Sequence, residues 1–455
     1  MEADGGQDDR AWVAAVTGGT VTRFEQATAG RSRATWLVDV DRDGQTLGLV
    51  LRRDTGDGPL SGTELSLERE SKVYRALEGT GVLIPRLLGV APDGLALLVA
   101  RVPGTENLAS LRGEERDKVI ESFLQAVAAL HLVDAAALDL AGFERPATPE
   151  AHALADLGLW RGVFEDNVRR PAPLVRLAFR WLSAHPPAAV DRTVLCHGDL
   201  GPGNFLYQDG QLTALLDWEF AHLGDPMDDL AWFTIRCSQL TDLGELRHEL
   251  ARYADLTGIK VDADRVRYYQ LFVLVRMAVA CLVALDKRAG RMDASTYFAL
   301  LPLLERQMTT LLAELSGIAL APGAVPAPSP PTTQSEILDA LANDLGTVLL
   351  PELQTPAARS RVMGMSLLLT HLQAAAVRAA RFEQADLDDL AQLLGNRPAD
   401  LPEGQRALGE LVDASSPDDI GALLAYFSAH ADREIALWPV LAGLAARPLP
   451  RADTA

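Results

Sequence analysis

Cysteine is scarce in this chain. Only three occur in 455 residues, Cys196, Cys237 and Cys281, and no two form a CxxC pair. That excludes a disulfide framework and a cysteine zinc site, and it fits a reducing, cytoplasmic compartment. Basic residues are outnumbered, with 42 Lys and Arg against 62 Asp and Glu, a net charge of −20. Such a balance disfavours nonspecific attraction to nucleic acid or to an anionic membrane. It leaves room for an anionic substrate, because a local basic cleft or a divalent cation overrides the average. Long apolar runs are missing too. The most apolar stretch, 271–285, is short for a membrane span and is interrupted by Arg276, so a buried helix is expected and no membrane insertion. The first ten residues are acidic and carry no apolar core, so no signal peptide is expected. A GxxxxGK[ST] loop is absent, which argues against a P-loop nucleotide site.

What is present is a chain that folds. Apolar residues make up 48% of it, and its length predicts two or three domains. Residues 20–103 read as a small lobe. The β-prone runs 34–40 and 47–53 flank an Asp43-Gly44 turn, a helix covers about 64–78, and a second hairpin follows, a pattern suited to an antiparallel sheet. From 104 to 317 the periodicity is mainly helical, with an amphipathic helix over 113–135. Two short apolar runs within 193–218 interrupt it and frame a loop. Residues 318–333 hold five prolines and almost no charge, and read as a linker. Beyond it, 334–448 is expected to form a separate helical domain, with helices near 334–350, 356–380, 384–394, 403–412 and 417–446.

The chemistry concentrates at HGDLGPGN, 197–204, and at DWE, 217–219. Phosphoryl transfer asks little covalent work of a protein and much positioning. Asp199 on a loop after a short strand is placed to orient an acceptor hydroxyl and take its proton. Asn204 lies five residues on, and Asp217 follows a second short strand. Magnesium takes hard oxygen ligands and few protein groups, so the Asn204 amide and the Asp217 carboxylate are candidate metal ligands. The three loop glycines permit sharp turns. His197 reads as an orienter of the loop rather than a base.

HGDxxxxN, DWE and the following GDPMDDLAW, 224–232, resemble the aminoglycoside phosphotransferase-like family, which includes choline kinases and is related to protein kinases. The resemblance covers about 20–316 and implies an α+β, two-lobed kinase-like fold, here followed by an all-helical C-terminal domain. It implies ATP between the lobes and magnesium as cofactor. The catalytic role falls on Asp199, and metal coordination on Asn204 and Asp217. Asp225 and Asp229 are expected to support the loop, with Asp228 a candidate helix cap. In the first lobe the resemblance implies a basic residue on the third strand paired with a glutamate on the first large helix. Arg52 of VLRR and Glu70 of RESKVYRAL take those places, with arginine standing where lysine is usual, and the two are not equivalent. Gly30 and Ser32 would cover the phosphates, and backbone near Val99 to Arg101 would meet the base.

The acceptor is expected to be a hydroxyl-bearing small molecule. A similarity in style to the kinase part of multidomain acyl-CoA dehydrogenases adds an acyl thioester to the candidates. Within 154–170, Trp160, Arg161 and Arg169 either bind a ring or an anionic tail or simply pack. The helical domain resembles an uncharacterised module found with such kinases and is a candidate for homo-oligomer contacts. The competing reading is a nucleotide-responsive interaction protein with little kinase activity. A protein kinase fits less well, because HGD and DWE stand where HRD and DFG are familiar.

Overall fold

In the computed structural model, which describes residues 2–27, 33–56, 58–241, 246–287 and 294–452, the first lobe is a five-stranded antiparallel sheet. Its strands are β1 (Thr20–Gln26), β2 (Ala34–Arg42), β3 (Gln45–Arg53), β4 (Leu87–Val90) and β5 (Ala96–Ala100), in the order β1-β2-β3-β5-β4. The β2–β3 turn has Asp43 and Gly44 both at positive φ, 54° and 79°, the conformation a two-residue hairpin needs. Alternate residues of β2 and β3 then separate. Val38, Val40, Leu49 and Leu51 enter one apolar core with Val13, while Arg52 points to the other face. Val13 belongs to a helix the sequence reading passed over, α1 (Glu2–Thr17). Its acidic start hides a short apolar end, Trp12 and Val13, that packs on the sheet.

Helix α2 (Leu67–Leu77) begins where Ser66 accepts a hydrogen bond from the Arg69 N–H, and it buries Glu70 with Leu67, Val73, Tyr74 and Leu77. The second lobe starts with α3 (Gly113–Leu132), α4 (Pro149–Asn167) and α5 (Pro173–Ala184). Four short strands follow. β6 (Val194–Cys196) pairs with β9 (His222–Gly224), and β7 (Phe205–Gln208) with β8 (Gln211–Leu215). Helices then continue as α6 (Pro226–Leu240), α7 (Arg247–Thr257), α8 (Ala263–Asp286) and α9 (Ala294–Leu315). α8 contains the apolar run noted above, and 83% of its most apolar window is buried inside the protein.

The remainder is helical: α10 (Thr333–Asp344) with a π turn at Leu345–Leu349, the single turn α11 (Leu350–Glu352), α12 (Pro356–Leu394), α13 (Leu401–Ala414), α14 (Gly421–Ala436) and the short α15 (Ala442–Ala445). α12 is one 39-residue helix where two were expected. No glycine or proline stands between Gly364 and Gly395, and Phe382, at the expected break, is buried in the core. The architecture is thus α+β and kinase-like, with a helical C-terminal segment.

By contacts the chain forms two compact units. One comprises Met1–Leu159, Pro187–Gln270 and Pro450–Ala455; the other comprises Trp160–Pro186 and Leu271–Leu449. The proline-rich segment lies wholly within the second unit. It has no helix or strand, yet it is fastened there. Gly323 N–H donates to Asp432 at 2.9 Å, Ser329 N–H to the Val377 carbonyl at 2.7 Å, and Arg381 to the Ala327 carbonyl at 2.9 Å.

Candidate active site

Two segments converge in the first unit, the 197–204 loop and the turn at 217. The Asn204 carbonyl accepts the Leu216 N–H at 2.8 Å, which holds the ends of the β7–β8 hairpin together and sets Asn204 beside Asp217. The loop is held from beneath by Asp229 of α6, whose carboxylate accepts the His197 N–H at 2.7 Å and the Gly198 N–H at 2.9 Å. A side chain at position 198 would sit 2.1 Å from the Phe220 carbonyl oxygen, so only glycine fits. His131 meets Asp229 at 2.9 Å and Tyr253 at 2.7 Å, closing a buried chain of polar groups. Burial pushes the Asp229 carboxyl up, but the His131 hydrogen bond and the other donors outweigh that and hold it below the usual range.

His197 is buried, and burial lowers its pKa. Its Nε2 lies 2.7 Å from the Leu216 carbonyl, while Nδ1 accepts the Asp199 N–H at 3.3 Å. Those contacts define a neutral ring with the proton on Nε2, occupied on both sides. It positions the loop. Asp225, not Asp228, caps α6 by accepting the Met227 N–H at 3.0 Å, and it is paired with Arg265. Asp228 instead meets His222 at 3.0 Å. With Asp156 these two bring three ligand atoms within 4.8 Å of one another, a bracket joining α4, β9 and α6.

Asp199 is held by a residue that the sequence reading missed. Arg236 of α6 donates from Nε to Asp199 Oδ1 at 2.7 Å and from Nη2 to Oδ2, and its Nη1 bonds the Pro202 carbonyl at 2.9 Å. Asn204 Nδ2 donates to the same carboxylate at 2.7 Å and to the Asp199 carbonyl at 2.8 Å. Gly201 makes room for Arg236, because a Cβ there would lie 3.0 Å from the Arg236 Cβ. The signal was available. Arg236 stands seven residues after Asp229, two helical turns on, so both side chains leave α6 on the face toward the loop.

Arg52 bridges two carboxylates. One end of its guanidinium pairs with Glu70 and the other donates to Asp217 Oδ1 at 2.6 Å. A lysine ammonium has no such fork. Burial pushes Asp217 up, but the adjacent Arg52 outweighs this and holds it below the usual carboxylate range. Asp217 sits at φ 67°, an uncommon backbone for a non-glycine residue. Nearby Glu219 is buried, and that burial, with the Asp217 charge, lifts it to about 8.

Asn204 spends its amide nitrogen on Asp199, so its carbonyl oxygen remains available on the opposite side of the amide group. That oxygen and the Asp217 carboxylate are hard ligands from adjacent backbone, which suits magnesium. The other expected residues are placed as follows. Val99 lies in β5 opposite Val50. The Arg101 N–H donates to the Gly48 carbonyl at 2.9 Å and its side chain pairs with Asp39 at 2.6 Å. Gly30 and Ser32 lie outside the described residues. In the second unit, Trp160 is buried, and Arg169, just beyond the end of α4, bonds the Glu165 and Asp166 carbonyls.

Residues 23–269 match the Phosphotransferase enzyme family (APH). Among curated proteins, mouse (Mus musculus) acyl-CoA dehydrogenase family member 10 is 27% identical over 215 residues, 45% of this chain and 19% of that protein. Chicken (Gallus gallus) acyl-CoA dehydrogenase family member 11 is 26% identical over 220 residues, 46% of this chain and 27% of that protein. The chain thus spans about a fifth to a quarter of these relatives. Among solved structures, macrolide 2′-phosphotransferase type I is 22% identical with a TM-score of 0.46, over 66% of this chain and 97% of the other. A thermostable mutant of aminoglycoside phosphotransferase APH(4)-Ia, in complex with ADP and hygromycin B, is 20% identical with a TM-score of 0.44, over 64% and 97%.

Proposed function

The chain belongs to the phosphotransferase enzyme family, and from that premise we propose how it moves the γ-phosphate of ATP to a hydroxyl of a small molecule. The observation that carries the proposal is the arrest of Asp199 by Arg236 and Asn204 immediately beside Asp217. Asp199 orients the acceptor hydroxyl and takes its proton. Arg236 fixes the direction of that carboxylate. Asn204 and Asp217 would hold magnesium, which would supply positive charge against the phosphates. Arg52, anchored on Glu70, turns from Asp217 toward phosphate, using the geometry its fork already shows. The base meets the 99–101 backbone through groups other than the Arg101 N–H, which is already spent on Gly48.

The acceptor class to test first is a hydroxyl-bearing acyl thioester, because the curated relatives are named as members of acyl-CoA dehydrogenase families. The net charge of −20 and the scarcity of cysteine favour work in the cytoplasm without nucleic acid. The helical segment is the proposed place for contacts between copies of the chain. The test is incubation with labelled ATP, magnesium and either a metabolite extract or a panel of hydroxyacyl thioesters, with mass detection of labelled product. Label in a small molecule is expected. Nucleotide binding with no labelled product across both would overturn the reading and turn it toward a nucleotide-responsive interaction protein.

A further inference from the structure

A cavity of about 850 Å³ opens in the second unit, between the start of α9, the π turn after α10 and the first turns of α12. Its wall is aliphatic. Leu345, Leu350, Val362, Met363 and Leu367 line it, with Val440 from just before α15. The rest of the wall is serine, threonine and glycine, and one charged residue, Arg359. No Phe, Tyr or Trp lines the cavity, and no Asp or Glu. Asp344 and Glu352, on either side of the π turn, are exposed and lie outside the lining. Arg359 is exposed too, and among the described residues its side chain makes one long hydrogen bond, from Nη1 to the Leu353 carbonyl at 3.4 Å. That contact leaves most of its donors free.

The backbone shapes this wall. The Leu350 N–H donates to the Leu345 carbonyl, the i→i+5 bond of a π turn. In an α-helix, residues five apart stand about 140° apart around the axis. The wider π turn brings both leucines to the same cavity. Gly346 lies between them, and a Cβ there would meet nothing within 4 Å. Met363 and Val440 stand at the rim, each 60% exposed.

We infer that this cavity binds an unbranched long-chain fatty acid, with its carboxylate on Arg359 and its chain along the leucines. A wall of Leu, Val and Met without rings suits a chain, and unbranched Met363 adapts to one. Protein interfaces favour aromatic anchors, which this wall lacks. One cation with no carboxylate in the same lining matches a single negative charge, and the guanidinium fork matches the two oxygens of a carboxylate. An ester or thioester brings no charge to that position. The volume lies in the range of small-molecule sites. The inference stands apart from the phosphotransfer reading, since every residue it uses belongs to the second unit.

The test is titration calorimetry on the full chain with dodecanoate, octanoate and dodecyltrimethylammonium, each kept below its micelle concentration. Dodecanoate is expected to bind one per chain. Octanoate, four methylenes shorter, should bind at least tenfold more weakly, and the cationic amphiphile at least tenfold more weakly as well. Gly346→Leu fills the cavity without meeting a neighbour and should weaken dodecanoate at least tenfold. Arg359→Gln should weaken it about fivefold or more, and Arg359→Lys should restore part of the loss. Both positions are open enough for the variants to fold, which circular dichroism checks. The proposal is overturned if dodecanoate does not bind, or binds the Gly346→Leu and Arg359→Gln variants as tightly as the unaltered chain. Octanoate binding as tightly as dodecanoate would overturn the long chain, and the cationic amphiphile binding as tightly would overturn the carboxylate. A dimer in sedimentation that Met363→Glu dissociates, and that takes up no dodecanoate, would show a second copy on this face and also overturn it.

Discussion

Asp199 in the first unit and Asp386 in the second are held in nearly the same way. Each is buried, and each receives two donors from one arginine, Arg236 for Asp199 and Arg433 for Asp386. Each has a further neighbour, Asn204 in one case and His430 in the other. The difference is in the backbone. Asp386 stands within the regular helix α12, and its side chain is 3% exposed. Asp199 stands on a loop, next to a hairpin that brings Asn204 and Asp217 together, and its side chain is 10% exposed. A buried ion pair therefore says little about chemistry. A carboxylate becomes useful where irregular backbone leaves hard oxygen ligands beside it and room for a substrate oxygen. The Asp386 cluster ties α12 to α14.

The strongest way to break that comparison is to remove the two carboxylates in turn. Asp199→Asn should lower kcat by about a hundred- to ten-thousandfold, with nucleotide affinity largely kept, as read by steady-state kinetics and calorimetry. Retained turnover would put Asp199 in the same structural class as Asp386. Asp217→Ala is expected to weaken magnesium-dependent ATP binding roughly tenfold or more, since it removes one charged ligand. Magnesium dependence unchanged in that variant would take Asp217 out of the metal site.

The third test works from the other side. Arg433→Met leaves Asp386 buried with two of its three side-chain hydrogen bonds gone. It should cost about 1.5–3 kcal/mol of stability, because charged hydrogen bonds to a buried carboxylate are lost while His430 still pairs with it. Urea unfolding measures the loss, and kcat per folded molecule should not move. A fall in kcat at constant folded fraction would show that the helical unit takes part in turnover after all.

Much of the site was legible because its chemistry is local in the chain. HGDxxxxN and DWE put Asp199, Asn204 and Asp217 within 21 residues, and short strands are almost the only way such a stretch can fold beside helices. Arg52 and Glu70 were legible as a pair, but not as a bridge to Asp217, because that contact spans 165 residues. Arg236 could be found only through Asp229, whose seven-residue spacing puts both on one face of α6 once Asp229 is taken to support the loop. Its role depends on which face of α6 meets the loop, and that is set by packing. Helix α1 escaped because its first half is acidic, and the apolar residues that pack on the sheet, Trp12, Val13 and Val16, are few. The unbroken course of α12 was missed because a change of apolar face near 381 looks like a break on paper, whereas buried Phe382 carries the helix through it.

The smallest expected effect separates the two clusters by pH. Burial alone would lower the pKa of His430, but the Asp386 hydrogen bond and charge, with Glu434 and Glu305, outweigh it and lift the group to about 9. A histidine whose folded pKa is raised contributes its full stability below its ordinary value near 6.5. That contribution is lost as pH climbs through about 9. Glu305, lifted to about 7 by burial, has finished most of its own titration before the upper half of that window. Melting of the whole chain between pH 7.5 and 9.5 should therefore show a midpoint that falls by a few degrees, and His430→Gln should flatten the fall. His197 behaves oppositely. It is already neutral, with both ring nitrogens engaged, so the group of that site that titrates in this range is Glu219, lifted to about 8, and its share of the fall remains in the His430→Gln variant. An equal slope in the His430→Gln variant would mean that the Asp386 cluster does not hold a charged histidine, and that its resemblance to the Asp199 site rests on Arg433 alone.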